Sequence, residues 1–303
     1  MTITFDRFPV SPLALRSNDP AEQARRRAFS CEMARATTTA RDQLTDLLAT
    51  AAGPGERVAA LAAVHAAVTD WRHQLAARAD GRLGQGITYN AQRFRTPIAA
   101  AEGGTNYDRL GTVGRLRDGS TWHPPTRTYR GGTDTPASRA MTHYGTAARR
   151  RFAREAPDTD ILQNWVHLPG GDLVAGNRLL RGQAAREAAA ELVTRIEARG
   201  ADASQVETGG TPIYTATPAP ADAERLRAEA LRILARPHLS PALFLTARYL
   251  LFQAPVMKKG SDAVTRVFTV AVADLLLGPH APALPADIDL RCYVFGQPAA
   301  TRP

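Results

Sequence analysis

The chain has 303 residues, 44% hydrophobic and 22% charged, a globular mixture that excludes a disordered, collagen-like or disulfide-scaffold polypeptide. Its formal net charge of +9 favours anionic partners such as nucleotides, nucleic acid or phosphates. With 56 Ala, and 36 Arg among the 38 basic residues, it carries the codon signature of a high-GC bacterial genome, so a single Arg weighs little.

Residues 19–50 read as a helix opened by Asp19-Pro20, and Gly53-Pro54-Gly55 breaks the chain after it. A second helix runs from Glu56 to about Ala79, with Val58, Leu61, Ala62, His65, Val68 and Leu75 along one stripe. His65 and His73 on that helix are expected to pack or to face solvent rather than to bind metal. From Gly81 to Thr135 periodicity fades, and Gly103-Gly104, Pro124-Pro125 and Gly131-Gly132 punctuate the segment. It is too long for a bare loop, so short strands or a binding insertion are expected, with Trp122, Pro124 and Tyr129 lining a pocket or covering a core.

Helices resume at Pro136–Glu155 and at Gly176–Arg199, with a turn between them at His167-Leu-Pro-Gly-Gly171. Residues 205–217 read as a β-hairpin turning at Gly209-Gly210. Three more helices follow at Ala221–Ala235, Pro241–Phe252 and Ala263–Leu277. The alternation of Ile288, Leu290, Cys292 and Val294 then predicts a terminal strand over 286–295. The expected fold is mainly α with a few short strands. It divides into an N-terminal helical extension (1–80), an irregular insertion (81–135) and a helical core (136–303), together one compact domain.

Cys31 and Cys292 lie far apart, which excludes a cysteine zinc site and gives no sign of an oxidising compartment. No HExxH, GxSxG or Walker A pattern is present, and no metal site is expected from the histidines. The N-terminus lacks the regions of a signal peptide, and no apolar run reaches the roughly 20 residues of a membrane span. A cytoplasmic protein without membrane contact is the reading, with signal-independent export also compatible. The clusters Arg25-Arg26-Arg27 and Arg149-Arg150-Arg151 read as solvated helix faces in preference to a nucleic-acid surface.

One segment stands apart. Lys258 and Lys259 are the only lysines, and Gly260-Ser261-Asp262 opens an apolar helix directly after them. Two ammonium groups beside the free amides and positive dipole end of a helix suit an anion, with Arg266 expected to reach back toward it. The plain alternative is a helix capped by Ser261 or Asp262, with both lysines in water. Asp262 could instead hold a magnesium ion that bridges phosphates.

An apolar helix, a loop opening with Pro, a Gly turn and a second helix carrying Arg six residues after the Gly resembles the core of the Fic/Doc (Fido) superfamily. That family's motif is H-P-F-x-x-G-N-G-R-x-x-R, with a hairpin flap upstream. Over residues 205–277, Pro255, Gly260 and Arg266 match its Pro, first Gly and last Arg, with one extra loop residue, and the hairpin precedes them as in the family. The motif histidine falls on Ala254, and its Asn, second Gly and first Arg become Ser261, Asp262 and Ala263. The resemblance implies a Fido-like helical core and an anion loop for a nucleotide-linked donor. It also implies departure from standard AMP transfer, because Ala cannot accept a proton.

The sequence therefore suggests a transferase whose nucleotide or nucleotide-sugar donor is held by Lys258, Lys259, Gly260, Ser261 and Arg266. Flap residues Tyr214, Gly209 and Gly210 would position the acceptor, and Arg130 and Arg178 are further candidates. No catalytic base is identified; Asp262, His143 and Glu207 are the candidates. One alternative is a non-catalytic binding or effector protein whose basic loop meets nucleic acid or an acidic partner. Another is an NAD-dependent ADP-ribosyltransferase, for which Arg130 and Glu207 stand where that family's first and last elements would.

Overall fold

The computed structural model describes residues 3–78, 90–100 and 104–302. The described residues form a mainly α protein: α1 (Pro20–Thr50), α2 (Pro54–Arg78), β1 (Tyr107–Leu110), β2 (Thr121–His123), β3 (Thr128–Arg130), α3 (Pro136–Glu155), β4 (Ile161–His167), β5 (Leu173–Leu180), α4 (Gly182–Glu197), β6 (Ile213–Ala216), α5 (Pro220–Leu234), α6 (Pro241–Gln253), α7 (Ser261–Leu276), α8 (Ile288–Phe295) and α9 (Gln297–Ala300). The starts follow local chemistry. Asp19 accepts from the Ala21 amide ahead of Pro20, Thr135 and Ser138 form a reciprocal capping box on α3, and Ser240 caps α6.

The largest core joins α1, α2, α5, α6 and α7, so Leu44 and Leu61 share one apolar cluster with Phe252, Val267 and Phe268. Beside it lies an antiparallel sheet in the order β1-β6-β5-β4. Alternation sends successive residues to opposite faces. Leu110, Leu162, Leu179 and Ile213 pack under α3 and α8, whereas Leu180, Tyr214 and Ala216 pack under α4.

Three expectations are corrected. Residues 205–212 form no strand, and Ile213–Ala216 is an inner strand between β1 and β5, so the segment is not a free hairpin flap. The reason is that Gly209 is pinned: its amide donates to the Arg127 carbonyl at 3.0 Å, and a Cβ there would lie 1.7 Å from the Thr126 carbonyl oxygen. Residues 176–180 belong to β5, not to a helix, because they pair with β4 across the turn at 168–172; the helix starts only at Gly182. Residues 288–295 are helix α8, not a strand. Its buried carbonyls are met by side chains, Gln253 on Cys292 and both Asn164 and Asn177 on Tyr293, while Asp287 and Arg291 pair one turn apart.

The expected insertion contains β1, β2 and β3, as short strands were anticipated there; its residues 81–89 and 101–103 lie outside the described residues. Among the described residues no helix is long and apolar enough to cross a membrane.

Candidate functional site

The loop between α6 and α7 is tied to residues 96–98 and β1 before it reaches the helix. Ile98 donates to Val256, the Lys258 amide donates to Thr96 at 3.0 Å, and Asn106 donates to the Lys258 carbonyl at 3.4 Å. The Ser261 hydroxyl turns back onto Met257, accepting from its amide and donating to its carbonyl. Gly260 is the N-cap of α7 at φ +81°, and among the described residues no side chain caps the first amides. Ser261 and Asp262 are thus not the caps.

This loop borders a cavity of about 360 Å³. Lys258, Lys259, Gly260 and Ser261 line it, as do Arg93 from the turn at 91–94 and Arg195 and Arg199 from the end of α4. Asp108 and Tyr107 of β1, Asp262 of α7, and Asp289 and Tyr293 of α8 also face it. Five cations against three carboxylates leave it net positive. Arg195 lies 5.3 Å over the Tyr107 ring and pairs with Glu191, which also accepts from the Tyr107 hydroxyl at 2.7 Å. Burial, with that hydrogen bond, raises the Tyr107 phenol to about 12. The buried Nε–H groups of Arg93 and Arg195 find no acceptor among the described residues.

The cations press on one another. Lys259 keeps contact with water but sits in a concavity that protein surrounds; burial lowers its ammonium pKa and Arg93, Arg16 and Arg115 lower it further, against Asp108. Arg93 is lowered by burial and then by Arg199. On the opposite wall Asp289 is 8% exposed, and burial raises its carboxyl well above the ordinary range. Asp262 adds to that rise, because the two carboxylates share a single guanidinium, Arg266.

Arg266 does not face the cavity opening. It is 2% exposed, donates to Asp262 at 2.8 Å and Asp289 at 3.4 Å, and spends its remaining donors on the Pro285 and Ala286 carbonyls. Burial opposes its charge, but the two carboxylates outweigh burial and raise its pKa. Its expected role as an anion ligand gives way to that of a buried counter-ion. Asp262, the residue suggested for magnesium, is occupied by this pair, and no metal-holding group of three or more His, Cys, Asp or Glu forms among the described residues.

The other sequence candidates do not converge here. Tyr214 is buried under α4, and Gly209 and Gly210 pack against residues 126–128 and Arg109. The Glu207 carboxylate is consumed by the Gly114 and Arg115 amides at 2.9 and 3.3 Å, while Arg130 ends β3 in solvent, so the pair builds no ADP-ribosyltransferase site. His143 is exposed on α3, edge-on to Tyr144, and Arg178 is half-buried on β5 outside the cavity lining. Trp122 and Pro124 do line a separate, open groove of about 600 Å³ with Arg127, but it gathers no comparable set of charges.

No family model matches the chain, and no curated protein matches it in sequence. The chemistry of the site rests on its own residues. Of these, sequence reasoning found the loop and missed Arg93, Arg195, Arg199, Asp108, Asp289 and Tyr293. The one available signal was Arg195 and Arg199, four residues apart at the end of a helix.

Proposed function

We propose that the chain is a group-transfer enzyme that holds a phosphate-bearing donor, a nucleotide or nucleotide-linked compound, in the cavity at the start of α7. One observation carries this reading: five cationic side chains from three segments surround the cavity and outnumber its three carboxylates. A bound phosphate would relieve the repulsion among Lys259, Arg93 and Arg199 and meet the amides at the start of α7. A volume of about 360 Å³ lies at the small end of ligand sites and suits a mononucleotide-sized compound.

The same cavity offers groups that can move a proton. Asp289 is raised and Lys259 lowered from their ordinary values, which brings an acid and a base toward the same pH range. Ala254, at the position of the Fic/Doc motif histidine, is buried and takes no part. Of the likeness to that superfamily only the apolar α6–loop–α7 unit remains, since the hairpin flap does not form and Arg266 is a buried counter-ion.

A thermal-shift screen against inorganic phosphate, ADP, NAD and a nucleotide sugar tests it. A ligand at one hundred times its Kd should stabilise the protein by about 2.7 kcal/mol, and the Lys258→Ala/Lys259→Ala double variant should lose that shift. No shift with any of these anions would overturn the proposal.

A second reading, a binding protein with a macromolecular partner, is favoured by a different feature. Three large apolar residues, Ile161, Trp165 and Leu173, stand exposed on the single hairpin β4–β5. Under that reading Trp165→Ala, and not the lysine variant, is the change that abolishes partner binding.

A further inference from the structure

Of the three carboxylates that face the cavity, Asp262 and Asp289 pair with Arg266, and Asp108 alone opposes an anion without such a counter-ion among the described residues. It sits on β1 opposite Thr215, is exposed, and lines the cavity. No hydrogen bond or ion pair forms to its carboxylate among the described residues. Its charge nevertheless acts on Arg16, Arg93, Lys259 and Tyr293, which come from four separate segments. Three of the four, Arg93, Lys259 and Tyr293, line the same cavity as Asp108, so its carboxylate meets them around that space.

A ligand made only of phosphate groups would be repelled by Asp108, so the residue is a cost for bare phosphate or pyrophosphate. A ligand with hydroxyls beside its phosphate uses both charges. Carboxylates accept hydrogen bonds from adjacent sugar hydroxyls, as the acidic side chain of dinucleotide-binding folds does with ribose. We propose that the cavity selects a phosphorylated polyol, its phosphate on Lys258, Lys259 and Arg93 and its vicinal hydroxyls on Asp108. The inference rests on the reading of the cavity as a phosphate site and adds the class of compound. A nucleotide's ribose phosphate and a free sugar phosphate share this chemistry.

Isothermal titration of the full chain with pyrophosphate, ribose 5-phosphate, AMP and 2′,3′-dideoxy-AMP separates the cases, in the wild type and in Asp108→Ala. The wild type should bind AMP roughly tenfold more tightly than dideoxy-AMP, as expected for losing hydrogen bonds to a charged acceptor. Asp108→Ala should weaken the diol-bearing ligands roughly tenfold while pyrophosphate binds as well or better. The effects therefore have opposite signs. Tightening of every ligand in Asp108→Ala, or equal affinity for AMP and dideoxy-AMP in the wild type, would overturn the inference and leave the phosphate site standing. If none of the four probes binds, the phosphate reading falls and this one with it. The AMP and ribose 5-phosphate arms tell a nucleotide from a free sugar phosphate. Asp108 is exposed on a strand, so the variant should keep the wild-type unfolding midpoint, and Asp108→Asn, which retains an acceptor oxygen, should show a smaller effect of the same signs.

Discussion

Replacing Gly260 with Ala should unfold the entrance of α7, and the structure fixes how costly that is. Gly260 has φ +81°, a left-handed conformation that costs an ordinary L-residue about 1–2 kcal/mol. An added Cβ would also stand 2.6 Å from Phe94 Cδ1 and 2.9 Å from Arg72 Cγ. The Phe94 ring cannot step aside: it is buried, and the Arg72 guanidinium covers it at 4.2 Å. Overpacking of this kind costs about 1–3 kcal/mol, for a total of about 2–5 kcal/mol. Gly278 supplies the control, with φ +53° and nothing within 4 Å of its added Cβ, so Gly278→Ala should lose only the conformational part. Urea unfolding of both variants separates strain from overlap by the difference in midpoint at unchanged slope. Equal losses in the two variants, or a loss below about 0.5 kcal/mol in Gly260→Ala, would refute the close packing of Phe94 and Arg72 against the loop.

Two further outcomes follow from buried charge. His65 packs edge-on against Phe268, and burial, with Arg227 nearby, lowers its imidazole to about 4. The unfolded chain takes up that proton near pH 6.5 and the folded one only near pH 4, so stability should fall by about 3 kcal/mol as pH drops through this window. Chemical unfolding at stepped pH should show this loss, and His65→Gln should flatten that part of the curve; an unchanged slope in the variant would contradict it. Arg266→Met should destabilise the fold by about 3–5 kcal/mol, because Asp262 and Asp289 lose their shared counter-ion, and adding Asp289→Asn should restore much of the loss. A single variant of wild-type stability that has lost anion affinity would return Arg266 to the ligand.

Helices were legible wherever a cap and a 3.6-residue stripe coincided. Asp19-Pro20 marked the start of α1, and α3, α5, α6 and α7 lie close to the expected bounds, with the caps at Thr135 and Ser240 supplied by the structure. The misreadings share one cause: partners from distant segments, backbone at Gly209 and in β5 and side chains at α8, satisfy the main chain. Asn164, Asn177 and Gln253 take the carbonyls of α8, so its period-2 apolar pattern marks a helix buried on several sides and not a sheet face. Gly209-Gly210 looked like a hairpin turn, yet Gly209 serves close approach to residues 126–127 and Gly210 takes a left-handed φ of +75°. The lysine pair was legible because composition made it an exception. Arg93, Arg195 and Arg199 were hidden among 36 arginines, and only the folding of three distant segments distinguishes them.

Selective labelling of lysine with ¹⁵N and ¹³C gives the most direct test of the phosphate site, because Lys258 and Lys259 are the only lysines and both line the cavity. In a titration with ADP, followed by NMR, both side chains should shift and saturate together. In the free protein Lys259 should lose its proton below the ordinary lysine range, and bound phosphate should move that titration upward. Lysine signals that stay fixed at millimolar ADP, with Lys259 titrating like a lysine in water, would contradict the site.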